Sequence, residues 1–131
     1  MLENEFLKQW RHQLHAHPET AFEEVQTAAF VAERLREMGI EVFTVIGGTG
    51  VIGRLKVGDG KKAVALRADM DAISLNEEGA LPYKSQCPGR MHGCGHDGNM
   101  ATVLGAAKLL SESRDFNGTA STTTPACLPG Q

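Results

Sequence analysis

The segment Ala63-Val64-Ala65-Leu66-Arg67-Ala68 is mostly apolar and does not alternate. A strand with one wet face alternates apolar and polar residues. A run like this one reads as a strand covered on both faces, as in sheets layered with helices. The rest of the chain supplies such layers. Leu2, Phe6, Trp10 and Leu14 recur every four positions, with Leu7 beside them, and predict a helix over residues 2–16 that Pro18 stops. Thr20 followed by Glu23 fits a capping box. A second helix is expected from there to about Met38, burying Phe22, Val25, Ala29, Ala32 and Leu35, with Gly39 as its stop. The pattern then changes. Residues 41–46 and 51–57 read as strands joined by the turn Gly47-Gly48-Thr49-Gly50, and Gly58-Asp59-Gly60 is the next turn. Residues 72–95 show no period and hold Gly79, Pro82, Pro88 and Gly89, so a long loop is expected there. Asp97 is placed to cap a third helix with Met100, Val103, Leu104, Ala107 and Leu110 on one face. Two helices, three strands, a loop and a helix in that order predict an α/β sheet domain.

At 131 residues the chain suits one domain with its own core. Its net charge is −3 with the signs interspersed. No basic block points to nucleic acid or an anionic membrane, and neither partner is expected. The acidic start Met1-Leu2-Glu3-Asn4-Glu5 lacks a signal-peptide core, and no apolar run approaches the roughly 18 residues that span a bilayer. The expected location is cytoplasmic. Cys87, Cys94 and Cys127 are a sparse, odd set, which argues against a disulfide framework and leaves a thiol free for chemistry. From Thr119 the composition changes: residues 119–124 are all small and mostly hydroxylic. Residues 1–118 are therefore read as the domain and 119–131 as a divergent, poorly ordered tail. A short edge strand is the alternative, because threonine favours strands.

Cys94 and His96 flank one glycine. In an extended loop residues i and i+2 point to one side, and thiolate and imidazole both suit zinc or another late divalent metal. Gly93 and Gly95 let the backbone bend around them. A nearby helix start would favour the thiolate. Alone the pair is a weak signal, and its plain alternative is a small loop residue beside a surface histidine. The flanking Met91-His92-Gly93 and Asp97 strengthen the metal reading. A second cluster, Arg67-Ala68-Asp69-Met70-Asp71, follows the predicted central strand, where sites of open α/β sheets collect. Asp69 and Asp71 are spaced to share a face, and a solvated acidic turn is their alternative. His15 and His17 have the spacing of a metal pair but sit at a fraying helix end, so exposed imidazoles are expected. His12 reads as a surface helix residue and Cys87 as structural or inert. The glycine-rich turn at 47–50 lacks the Gly-Lys-Ser/Thr ending of a phosphate loop and reads as a hairpin turn.

Further stretches complete a pattern. They are Leu14-His15-Ala16-His17-Pro18-Glu19, Phe22-Glu23-Glu24, Gly48-Thr49-Gly50-Val51, Leu66 to Ala72, Met91 to Asp97, Leu104 to Leu110 and Phe116-Asn117-Gly118-Thr119. In this order they resemble the hippurate hydrolase and auxin-conjugate hydrolase group of the aminoacylase–acetylornithine deacetylase metallopeptidase family, over about residues 5–119. The resemblance implies a truncated α/β catalytic domain with two N-terminal helices, about three strands and a third helix, the rest of the sheet missing. It implies a di-metal amidohydrolase that uses zinc or manganese to cleave small N-acyl amino acids such as hippurate. Cys94 and His96 match metal ligands of that group, and Asp71 matches the aspartate that supports a metal-site histidine. Such metals polarise the amide and acidify a water, and a glutamate takes its proton.

The sequence also departs from that group, which continues past Phe-Asn-Gly-Thr to a Gln-Pro-Ala-Glu-Glu stretch holding the base and a ligand. Here Thr124-Pro125-Ala126-Cys127-Leu128 stands near that position, and no glutamate lies beyond Glu112. Ser74 stands where the group has proline, and Asn99 where it has a second histidine. The expectation is a hydrolase by lineage with little or no amidase activity of its own. Its end reads as a truncation caused by a shift of frame near codon 119 or 120. The alternatives are a noncatalytic module, binding metal or pairing with a full-length homologue, and an enzyme completed in trans. A sheet without its later strands would leave an edge open to association or homo-oligomer formation.

Overall fold

A computed structural model describes residues 4–126. The elements are α1 (Asn4–Ala16), α2 (Val25–Glu37), β1 (Glu41–Ile46), β2 (Gly50–Val57), β3 (Ala63–Arg67), α3 (His96–Ser113) and β4 (Gly118–Thr124). The α/β class holds. Leu2 and Cys127, with the rest of the expected tail from residue 127, lie outside the described residues.

The sheet runs β1-β2-β4-β3. β1 and β2 form an antiparallel hairpin across the 47–49 turn, as expected. β4 pairs antiparallel with β2, Val51 facing Thr124 and Val57 facing Gly118. It pairs parallel with β3, Ala63 beside Thr119 and Arg67 beside Thr123. A parallel pair needs a crossover, and α3 supplies it. Along β2, Val51 and Leu55 are buried while Arg54 and Lys56 are exposed. The β4 residues facing Val51 and Gly53, Thr124 and Thr122, are buried as well. That face carries the helices: α2 lies on β1 and β2, α3 on β4, and α1 against α3. Leu14, Val31, Leu35, Val51, Leu55, Met70, Met100 and Leu104 fill the space between the layers. Each large apolar side chain buried there contributes about 1.5–3 kcal/mol.

Four expectations are corrected. Residues 119–124 form β4, neither a disordered end nor an edge strand, because their amides and carbonyls pair on both sides with β2 and β3. β3, expected to be covered on both faces, is largely exposed, with Val64 at 66%. It lies at the end of the strand order, and helices cover only one face of the described sheet. α2 begins later than the Thr20–Glu23 box implied. Thr20 Oγ1 does donate to Glu23 Oε2 at 2.8 Å, but Phe22 has φ +65°, which no helix accommodates, so the box closes a turn. The Glu19 carboxylate instead accepts from the Gln26 and Thr27 amides at 3.1 and 2.6 Å. The later start turns the buried face of α2 to Thr27, Val31, Ala32 and Leu35, leaving Phe22, Val25 and Ala29 exposed. Among the described residues no helix is long and apolar enough to cross a membrane.

Candidate functional site

Beyond Arg67 the chain continues β3's direction for several residues. The Ala68 and Met70 amides donate to the carbonyls of Thr123 and Pro125, at 3.0 and 3.2 Å. Ala68, Met70 and Ala72 are buried, which turns Asp69 and Asp71 the other way. Asp69 accepts from Arg67 Nε at 3.1 Å. Asp71 meets His96, the first residue of α3. His96 Nδ1 lies 2.8 Å from the Asp71 carbonyl oxygen and 3.1 Å from Asp71 Oδ1. The Asp71 carbonyl, accepting at Nδ1, places the ring hydrogen there and leaves the Nε2 lone pair available, as the supporting acceptors of metal-binding histidines do. One glycine away, the Cys94 thiol is free and exposed. Gly95 between them has φ +80°, a left-handed conformation in which glycine is unstrained. The three residues singled out in the sequence therefore lie where β3 ends and α3 begins. Among the described residues no group of three or more His, Cys, Asp or Glu side chains is placed to hold a metal ion.

Next to this loop lies a buried ion network that the sequence did not announce. His15 is 3% exposed, against the expectation of a solvated helix end, because the long loop folds over it. Its Nδ1 is 2.8 Å from Asp97 Oδ2, and its Nε2 is 3.0 and 3.1 Å from the two Glu77 oxygens. Carboxylate oxygens thus stand at both ring nitrogens. Arg11 Nε adds a contact to Asp97 Oδ2 at 3.3 Å, and the Ser85 amide donates to Glu77 Oε1 at 2.9 Å. Asp97, expected as a cap, thus sits inside the first turn of α3; the capping position belongs to Gly95, which has no side chain to offer. His12 stacks on Tyr83 of the loop, ring centroids 3.7 Å apart, while His17 stays exposed.

Two more buried groups border the site. Neither ring nitrogen of His92 meets a partner among the described residues. Burial pushes its pKa down to about 4, helped by His15 and His96 and opposed by Asp97 and Asp71. Glu24 is fully buried, with Oε2 accepting from Thr49 Oγ1 at 3.3 Å and Oε1 without a partner among the described residues. Burial raises its pKa, with the Asp71 charge adding to the rise and the Thr49 hydroxyl and local amides opposing it. A carboxyl with a raised folded pKa takes up protons on folding, so it costs stability as pH climbs above its ordinary 4.5. Glu24→Gln is expected to gain about 1 kcal/mol at pH 7 and nothing in acid below that value. Urea unfolding at both pH values checks this, and an equal effect at both would rule out the charge as its source.

The comparisons with known proteins agree with this geometry. Residues 65–124, from the heart of β3 to the end of β4, match the peptidase family M20/M25/M40. Over that stretch, 60 of the 131 residues, the chain is similar to part of a domain of that family. Within it, the resemblance to the hippurate hydrolase and amidohydrolase group is borne out. Hippurate hydrolase of Campylobacter jejuni is 52% identical over 117 residues, which cover 89% of this chain and 30% of that protein. The N-acyl-L-amino acid amidohydrolase of Geobacillus stearothermophilus is 46% identical over 106 residues, 81% of this chain and 29% of that protein. Among solved structures, the Bacillus subtilis YXEP protein, a dinuclear metal binding peptidase from the M20 family, superposes with a TM-score of 0.88 at 37% identity, over 94% of this chain and 36% of that one. The chain thus spans about a third of the length of these relatives.

Proposed function

We propose that Cys94 and His96 are protein ligands of a divalent-metal centre, zinc or manganese, in an amidohydrolase domain directed at N-acyl amino acids such as hippurate. The observation that carries this reading is the Asp71–His96 contact, which fixes the imidazole with Nε2 free. The exposed Cys94 thiol beside it supports the reading, and so do the names of the relatives. The donor set, a thiolate and an imidazole, fits a late divalent ion. A metal held there would supply polarisation of the scissile carbonyl and an acidified water. Asp71 is the positioning residue for His96, and Cys94 binds as its thiolate. A third protein ligand is usual in catalytic zinc sites. With two candidate ligands, Cys94 and His96, the 131-residue chain is expected to bind metal weakly and to show no amidase activity by itself.

Cobalt(II) serves as a visible stand-in, because a cysteine thiolate bound to it gives a charge-transfer band. Titration of the chain is expected to produce that band with micromolar or weaker affinity, and Cys94→Ser to abolish it. Hippurate hydrolysis by the same samples is expected to stay at the buffer rate. A band that survives Cys94→Ser would remove Cys94 from the centre, and metal-stimulated hydrolysis would overturn the inactivity. Stoichiometric zinc retained through dialysis would favour a noncatalytic metal-binding module instead.

A further inference from the structure

We propose that His15, clamped between Asp97 and Glu77, is a positioning residue that divides its two ring nitrogens between two tasks. Through Nδ1 it holds the first turn of α3, so that the His96 imidazole stays against Asp71. Through Nε2 it ties down the 72–95 loop. Among the described residues the first two positions of α3 are otherwise held by side chains only through His96 on Asp71 and Arg11 on Asp97. The capping residue of α3, Gly95, makes no side-chain hydrogen bond and sits in a left-handed conformation that glycine leaves easily. Asp97 directly follows His96, is 1% exposed, and spends one carboxylate oxygen on His15 at 2.8 Å. Its second contact, Arg11 at 3.3 Å, comes from a side chain 43% exposed and is screened by solvent. The Glu77 side anchors only the loop. Glu77 accepts from the Ser85 amide, and the neighbouring Gln86 amide donates to the carbonyl of Ala16, next to His15. Three elements far apart in sequence therefore meet on one imidazole ring.

The inference rests on the reading of His96 as a ligand, but its test is made without metal. Asparagine places its amide nitrogen near the position of Nδ1, and glutamine near that of Nε2. His15→Asn thus keeps the Asp97 contact, and His15→Gln keeps the Glu77 contact. Ring ¹⁵N spectra of the metal-free chain at pH 8 report the His96 tautomer, with the signal assigned by its loss in His96→Gln. Wild type and His15→Asn are expected to show His96 as the Nδ1–H tautomer, and His15→Gln a mixture with Nε2–H. Glu77→Gln keeps the side chain's shape and serves where His15→Gln fails to fold. It is expected to leave the His96 signals unchanged while exchange of the Ser85 and Gln86 amides speeds up at least roughly tenfold, as local opening of the loop becomes easier. His96 signals that are the same in His15→Asn and His15→Gln, or that move in Glu77→Gln, would overturn the division of tasks. In the cobalt titration, His15→Gln is expected to bind roughly 10–100-fold more weakly, the usual effect of losing a supporting contact, and His15→Asn to stay near wild type. Absence of cobalt binding with the tautomer pattern intact would sink the ligand reading and leave the positioning role standing.

Discussion

Replacing His15 by leucine is expected to cost about 3–5 kcal/mol of folding stability, a large share of what a domain of this size has. Leucine is close in bulk, so the loss does not come from a cavity. It comes from what the ring leaves behind. Asp97 is 1% exposed and Glu77 9%, and without the ring they are two buried carboxyls, Asp97 beside the partly exposed Arg11 and Glu77 on the Ser85 amide. Burial alone would raise the Glu77 pKa. The Ser85 amide and His15 outweigh it and hold the carboxyl below its ordinary 4.5. A depressed acid contributes stability that is complete above the ordinary value and is lost as pH falls through the lowered one. The penalty of His15→Leu should therefore be largest at pH 7 and smaller at about pH 4, because a Glu77 carboxyl that has lost His15 takes up its proton at higher pH than in wild type. Urea denaturation at the two pH values measures it, and a loss under about 1 kcal/mol at pH 7 would mean that the network is not an ion network at all.

The second large effect has the opposite sign. Thr122 lies in the middle of β4, 6% exposed, and its hydroxyl meets no partner among the described residues. The neighbouring Thr124 hydroxyl, by contrast, donates to the Val51 carbonyl at 3.1 Å. An unsatisfied buried hydroxyl costs about 1–3 kcal/mol. Thr122→Val exchanges that hydroxyl for a methyl near Gly53, Leu35 and Ile40 and is expected to recover about that amount. Thr124→Val should lose stability instead, since it abandons a made hydrogen bond. The two substitutions compared by thermal melting give the result, and the same sign for both would show that strand propensity rather than hydrogen bonding decides.

The sequence carried what depends on local pattern. α1, the β1–β2 hairpin and the apolar face of α3 follow from residue spacing, and Met91 to Asp97 carried the lineage. What could not be read depends on chain meeting chain. Whether His15 is a wet helix end or a buried ring depends on a loop that begins more than fifty residues later. Glu77 lies in an aperiodic stretch and gives no signal of its own. Asp97 has the right chemistry for a cap, and its withdrawal into the network follows from His15 and Arg11 rather than from neighbours in sequence. The strand character of residues 119–124 was legible only as threonine's preference. Its central place comes from the empty slot between β2 and β3, which no local rule describes.

That slot also sets an order of events. β2 and β3 succeed each other along the chain yet are not neighbours in the sheet. Until residues 118–124 have left the ribosome, a nascent chain holds one hairpin and one lone strand, with unpaired edges facing each other across a gap. The strand that fills it must bring Thr119 to Ala63 and Thr124 to Val51, pairings of high sequence separation that form slowly. Folding of this chain is thus expected to close through its middle, with α3 and the His15 network assembling around a β2–β3 slot that stays open until β4 arrives.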